Sequence, residues 1–194
     1  MSASDNQYMS EMNDHILNYV TSPFPELSRP DCVIDGAVGY FFITVMFKKG
    51  TVPIQQASSF VFCRFGILYN TMCEALIGKN HHRPNVAKLR PVVAAFLDAE
   101  GSRYANRLVA PANAHIHSIW AVHPTHVERL EETFRSPKMD KAGERCDVDE
   151  LDIRGLGSLD DLRNVTAYST KLMAYNYKSQ NVGQDFEFYP KIVR

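Results

Sequence analysis

Ala114-His115-Ile116-His117-Ser118-Ile119-Trp120-Ala121-Val122 is a nearly unbroken apolar stretch that carries two histidines at alternate positions. Its Ile, Val and Trp content favours a strand fitted into a core. On a strand, positions i and i+2 point to one face, so His115 and His117 project together while Ile116 and Ser118 face the other way. Two adjacent imidazoles on one face can share one divalent ion. With seven histidines in the chain, a chance His-x-His is not rare. A strand that must fit a core nevertheless has little reason to place two of them in successive same-face positions.

Outward from this stretch, Pro91 to Leu97 is a second strand candidate, closed by Asp98-Ala99-Glu100-Gly101. Tyr40 to Phe47, bounded by Gly39 and Lys48-Lys49-Gly50, predicts another strand over 39–48. From Gln55 to Ile77 the apolar residues are too continuous for alternation and no proline interrupts them, which predicts a long helix stopped by Gly78. Tyr8, Met12, Ile16 and Val20 lie at helical spacing behind Asp5, and Pro23, Pro25 and Pro30 then keep the chain extended. Downstream, Pro124 opens a helix that continues through Phe134 until Ser136-Pro137 ends it, and residues 137–147 are expected to form a loop. Val148 to Ile153 alternates apolar and acidic residues as an edge strand does. Ser158 with Asp161 opens a last helix, about 159–179, in the manner of a capping box.

The order α-β-α-β-β-α-β-α implies an α+β fold: an antiparallel sheet of the ferredoxin/RRM-like palm type, with helices packed mainly on one face. Residues 1–35 then form an N-terminal helix and connector, 36–180 the body, and 181–194 a C-terminal tail.

The chain has 194 residues, of which 45% are hydrophobic and 22% charged, which excludes a disordered or collagen-like protein. With 21 Lys and Arg against 22 Asp and Glu, the whole molecule exerts no net pull on nucleic acid. The distribution is uneven. Residues 128–161 hold eleven acids against six bases, a net −5, and the remainder holds fifteen bases against eleven acids, a net +4. Cys32, Cys63, Cys73 and Cys146 form no CxxC pair, which suggests a reducing compartment. No basic n-region precedes an apolar h-region, and no apolar run approaches the roughly 18 residues of a membrane span, so a soluble cytoplasmic protein without a membrane partner is expected. A Walker A sequence is absent, since Cys73 stands where its first glycine belongs and Asn80 where Ser or Thr belongs.

The expected last helix carries Tyr168-Ser169-Thr170-Lys171 and, seven residues on, Tyr175-Asn176-Tyr177-Lys178, so a Tyr-x-x-Lys spacing occurs twice. Positions i and i+3 are neighbours on a helix surface. A lysine there can stabilise a phenolate or hold a phosphate near it, although tyrosines at heptad spacing also serve as a core stripe. The turn Lys79-Asn80-His81-His82-Arg83 reads either as a contact to a DNA backbone or as a solvated basic loop.

Taken in order, a hydrophobic strand Phe42-Ile43-Thr44-Val45-Met46-Phe47, the His115-Ile116-His117 pair and the helix with Tyr168 to Lys171 resemble the three motifs of the HUH endonuclease superfamily. Within it, this order is similar to that of rolling-circle replication initiators. The resemblance covers about residues 38–180. It implies a metal-dependent nuclease domain over 36–180 that nicks and rejoins single-stranded DNA at an origin or hairpin of a plasmid or virus, with strand separation from a host helicase. It implies Mg²⁺ or Mn²⁺ held by His115, His117 and a carboxylate near the end of the preceding strand. There Asp98 and Glu100 lie two apart; Glu100 is preferred and Asp98 is next. Tyr168, aided by Lys171, would attack the phosphorus and leave a 5′-phosphotyrosyl enzyme, and Tyr175 is the alternative nucleophile. Free phenol has a pKa of about 10, so it needs the metal, the lysine or a base to react at neutral pH. DNA contacts are expected from Lys79, His81, His82, Arg83 and Lys178. A single-stranded DNA transposase shares the motif order, and a non-catalytic nucleic-acid-binding module is the reading from a different class.

Overall fold

The computed structural model describes residues 3–22, 24, 38–48, 54–99, 114–170 and 186–191. The elements are α1 (Ala3–Thr21), β1 (Gly39–Phe47), α2 (Ile54–Leu76), α3 (Pro84–Ala87), β2 (Val92–Ala99), β3 (Ala114–Val122), a 3-10 turn (Pro124–His126), α4 (Val127–Phe134), α5 (Pro137–Arg145), β4 (Val148–Leu156), α6 (Leu159–Ser169) and β5 (Phe186–Tyr189). The strands form one five-stranded sheet in the order β4-β1-β3-β2-β5, with every neighbouring pair antiparallel. From β1 to β4 this is the ferredoxin-like split βαβ arrangement, in the α+β class the sequence implied.

Alternation along β3 divides its side chains between two cores. Ile116, Trp120 and Val122 join Ile43, Val45, Val93 and Ala95 beneath α2, α4 and α5. Ile119 and Ala121 face the opposite side with Tyr40, Ala94 and Phe96, covered by Ile16 and Val20 of α1 and Leu162 and Val165 of α6. Helices thus lie on both faces, three of the longer ones on the first and two on the second. Burying each large apolar side chain stabilises by about 1.5–3 kcal/mol. Sequence alternation therefore fixes which face each β3 residue serves, because a one-residue slip would exchange the cores.

Ser118 points into the first core yet is fully satisfied. Its hydroxyl donates to Ile43 O at 2.8 Å and accepts from Trp120 Nε1 at 2.9 Å. At the start of β1, Gly39 is required by close approach: a Cβ there would meet Val127 of α4 at 2.6 Å. Gly78 ends α2 with φ 115°, as expected for a residue free of a Cβ penalty.

Three expectations are corrected. Residues 137–145 are not loop but helix α5, because Ser136-Pro137 both stops α4 and starts its successor. Pro137 occupies the first turn and Ser136 Oγ accepts from Met139 N at 3.4 Å. Residues 186–189 of the expected tail pair with β2 as the edge strand β5. The first helix runs from Ala3, ahead of Asp5. Edge strand β4 and the Ser158 cap, whose Oγ accepts from Asp161 N at 3.0 Å, lie where expected. No helix among the described residues is long and apolar enough to cross a membrane.

Candidate active site

His115 and His117 open β3, where antiparallel pairing aligns them with β1 and β2. His115 pairs with Asp98 and Met46, and His117 with Phe96 and Thr44. Directly paired residues share a face, so Asp98, His115, His117, Thr44 and Met46 lie together on the side that carries α1 and α6. The two Nε2 atoms are 3.1 Å apart. Asp98 Oδ2 lies 3.4 Å from His117 Nε2 and 3.7 Å from His115 Nε2. Asp98 is 4% and His117 5% exposed, so these polar groups converge where water is scarce and an unpaired charge is costly.

The three residues each offer one ligand atom, and those atoms all lie within 4.8 Å of one another. This buried group could hold a divalent cation. Two imidazoles and one carboxylate suit first-row divalent ions and leave further positions open to water or substrate. Of the two carboxylates expected at the strand end, Asp98 joins the histidines, and Glu100 lies outside the described residues.

Tyr168 reaches the same place from α6. Its ring stands edge-on to His117 with centroids 5.1 Å apart, and edge-on to Phe42 at 6.4 Å. It is 37% exposed. Phe42 also stacks on the His117 ring at 5.3 Å and 22°. The end of α6 is tied to α1, where Thr170 Oγ1 donates to Asn13 Oδ1 at 2.7 Å. Lys171, Tyr175 and Lys178 lie outside the described residues.

Lys79, His81, His82 and Arg83 stand apart from this group. They precede β2, whose far end carries Asp98, a span of roughly 20 Å at about 3.3 Å per residue. Lys79, His82 and Arg83 are exposed. His81 is held below the usual histidine pKa, first by burial and then by Arg90 and His82. It therefore adds little positive charge at neutral pH.

Sequence reasoning passed over Thr44 and Phe42, taking their strand as apolar only. Thr44 Oγ1 lies 3.1 Å from His117 Nδ1. A lone aliphatic hydroxyl in an otherwise apolar and aromatic strand was the available signal. Phe42 shares its face because it lies two residues away. The turn histidines behave differently: His123 caps its turn through Nδ1, which accepts from Thr125 N at 3.4 Å.

No protein-family model and no curated protein matches the chain. Among solved structures, a hydantoinase/carbamoylase family amidase from Burkholderia ambifaria matches with 16% identity and a TM-score of 0.31, over 62% of this chain and 27% of that one. The chain spans about a quarter of that protein's length, and the likeness carries no functional argument.

Proposed function

We propose that this chain is an HUH-type nuclease that nicks and rejoins single-stranded DNA through a 5′-phosphotyrosyl intermediate and initiates rolling-circle replication of a plasmid or virus. The observation that carries this reading is the 5.1 Å approach of the Tyr168 ring to His117, itself within 3.4 Å of Asp98. A metal-ligand group and an accessible phenol on one sheet face are what tyrosine-mediated phosphoryl transfer requires.

His115, His117 and Asp98 would hold Mg²⁺ or Mn²⁺, which when bound would polarise the scissile phosphate and offset its charge. The phenol oxygen of Tyr168 would form a bond to phosphorus as the bond to the 3′-oxygen breaks. The phenol proton leaves the site, and the departing oxygen takes up a proton to become a 3′-hydroxyl. The phosphotyrosyl bond keeps the phosphodiester energy for rejoining. Single-stranded DNA at an origin or hairpin is the substrate, and a host helicase supplies strand separation.

The test is incubation of the full chain with Mn²⁺ and single-stranded origin or hairpin oligonucleotides, followed by a denaturing gel. A shifted, DNA-labelled band that disappears in Tyr168→Phe and in His117→Ala supports the reading. Absence of an adduct with every such DNA, or an adduct that persists in Tyr168→Phe, overturns the assignment of this nucleophile.

A further inference from the structure

Strand β1 sets two side chains against His117, and the reaction proposed above gives neither of them a part. Thr44 is the direct partner of His117 in the β1–β3 ladder, with its Oγ1 3.1 Å from His117 Nδ1. Phe42, two residues earlier, stacks on the imidazole. One contact bears on where the ring's proton sits, and the other limits how the ring can rotate.

A neutral imidazole carries one proton, and only its bare nitrogen can bind a cation. His117 Nε2 lies 3.1 Å from His115 Nε2 and 3.4 Å from Asp98 Oδ2, so Nε2 is the atom that must be bare for the group to act as a metal site. A partner that accepts the proton of the other nitrogen holds that tautomer, as the outer partners of metal-bound histidines do, and a hydroxyl, able to accept or to donate, can take that part. We propose that Thr44 is a positioning residue: its Oγ1 accepts the Nδ1 proton of His117 and holds the Nε2 lone pair toward His115 and Asp98. In the cation-free chain the proton in the Nε2–Nε2 contact then sits on His115 Nε2, and His115 frees that atom for a cation by taking up the other tautomer. The inference rests on His117 being a ligand in the function proposed above, but it concerns the ring itself and is measurable without DNA.

The experiment records long-range proton–nitrogen correlations of the histidine rings in the full, ¹⁵N-labelled chain at pH 8 without metal, with His117 assigned from His117→Gln. Mn²⁺ affinity is measured alongside by calorimetry. Wild type is expected to carry the His117 proton on Nδ1. Thr44→Val preserves side-chain shape and removes the acceptor. It should move that proton partly or wholly to Nε2 and weaken Mn²⁺ binding about 10–100-fold, with Thr44→Ser restoring both. Thr44→Ala gives the same readings if the valine variant does not fold. An Nε2 proton in wild type, or a folded Thr44→Val with unchanged tautomer and affinity, overturns the proposal. A tautomer that responds to Thr44→Val in a chain that takes up no Mn²⁺ upholds the role of Thr44 toward His117 and overturns the nuclease reading instead.

Discussion

The phenol of Tyr168 and the imidazole of His117 meet edge to face, with ring centroids 5.1 Å apart, although one is carried by helix α6 and the other by strand β3. Phe42 touches both rings. The three aromatics form one packed unit, so the direction of the phenol depends on side chains that need never touch substrate.

Replacing Phe42 by Leu keeps an apolar side chain and removes the ring contacts. Aromatic pairs of this kind are worth about 0.5–1.5 kcal/mol. The rate of covalent adduct formation should therefore fall about 2- to 10-fold, with Mn²⁺ affinity little changed. Quenched time courses on denaturing gels read the rate, and calorimetry reads the affinity. A variant that forms adduct at the wild-type rate would show that Phe42 has no part in aiming Tyr168.

Asp98→Asn removes a buried charge without changing shape. Loss of the anionic ligand should weaken Mn²⁺ binding by at least about 10-fold. Without metal at pH 8 the variant should melt no lower than wild type, because a 4% exposed carboxylate no longer has to be desolvated. Thermal melts with and without Mn²⁺ separate the effects, since saturation at 100 times Kd adds about 2.7 kcal/mol. A lower metal-free melting temperature would mean that the carboxylate stabilises the fold directly.

Asn13→Ala deletes the acceptor for the Thr170 hydroxyl at the end of the tyrosine helix. Thr170 Oγ1 also approaches Thr166 O at 3.0 Å, so it is not left orphaned. The stability loss should stay near 1 kcal/mol. Adduct formation should slow more than this implies, with metal affinity unaltered, because the contact fixes α6 rather than the ligands. Urea melts and adduct time courses together test this, and an unchanged rate would sink it.

His126 is 8% exposed, and neither ring nitrogen has a hydrogen-bond partner among the described residues. Burial first, then His123 and Arg129, hold its pKa below the ordinary value of 6.5. The folded chain therefore keeps His126 neutral where the unfolded chain protonates it. Its contribution to stability is complete above pH 6.5 and is lost as pH falls toward the lowered folded-state value. His126→Phe should reduce the fall in urea midpoint between pH 7 and pH 5. A pH profile parallel to wild type would show that His126 stays charged or exposed.

Much of this arrangement could be read from local pattern. The apolar, β-favouring content of residues 114–122 gave the strand, its two-residue period gave the shared face of His115 and His117, and Ser158 with Asp161 gave the start of the helix that bears Tyr168. The place of Asp98 beside the histidines could not be read, because it turns on cross-strand register: Asp98 is the residue paired with His115. Thr44 was hidden for the same reason. Its contact with His117 comes from pairing between strands distant in sequence. Helix α5 was missed because a Ser-Pro step that ends one helix is also a good N-terminus for the next. Strand β5 has only four residues, too few for a periodic signal, and it is fixed by its partner β2.

The strand that carries both histidines has neighbours on each side, with β1 and β2 filling its two ladders, while β4 and β5 form the margins of the sheet. Amides in such a strand exchange with solvent mainly when the whole domain opens, whereas marginal strands fray at lower free energy. The two candidate histidine ligands thus sit in a strand paired on both sides, where exchange is expected to be slow, and Asp98 is paired with His115 beyond the reach of β5. If the proposed cation is bound there, chelation should empty the site without melting the fold, and uptake should need little ordering of the backbone.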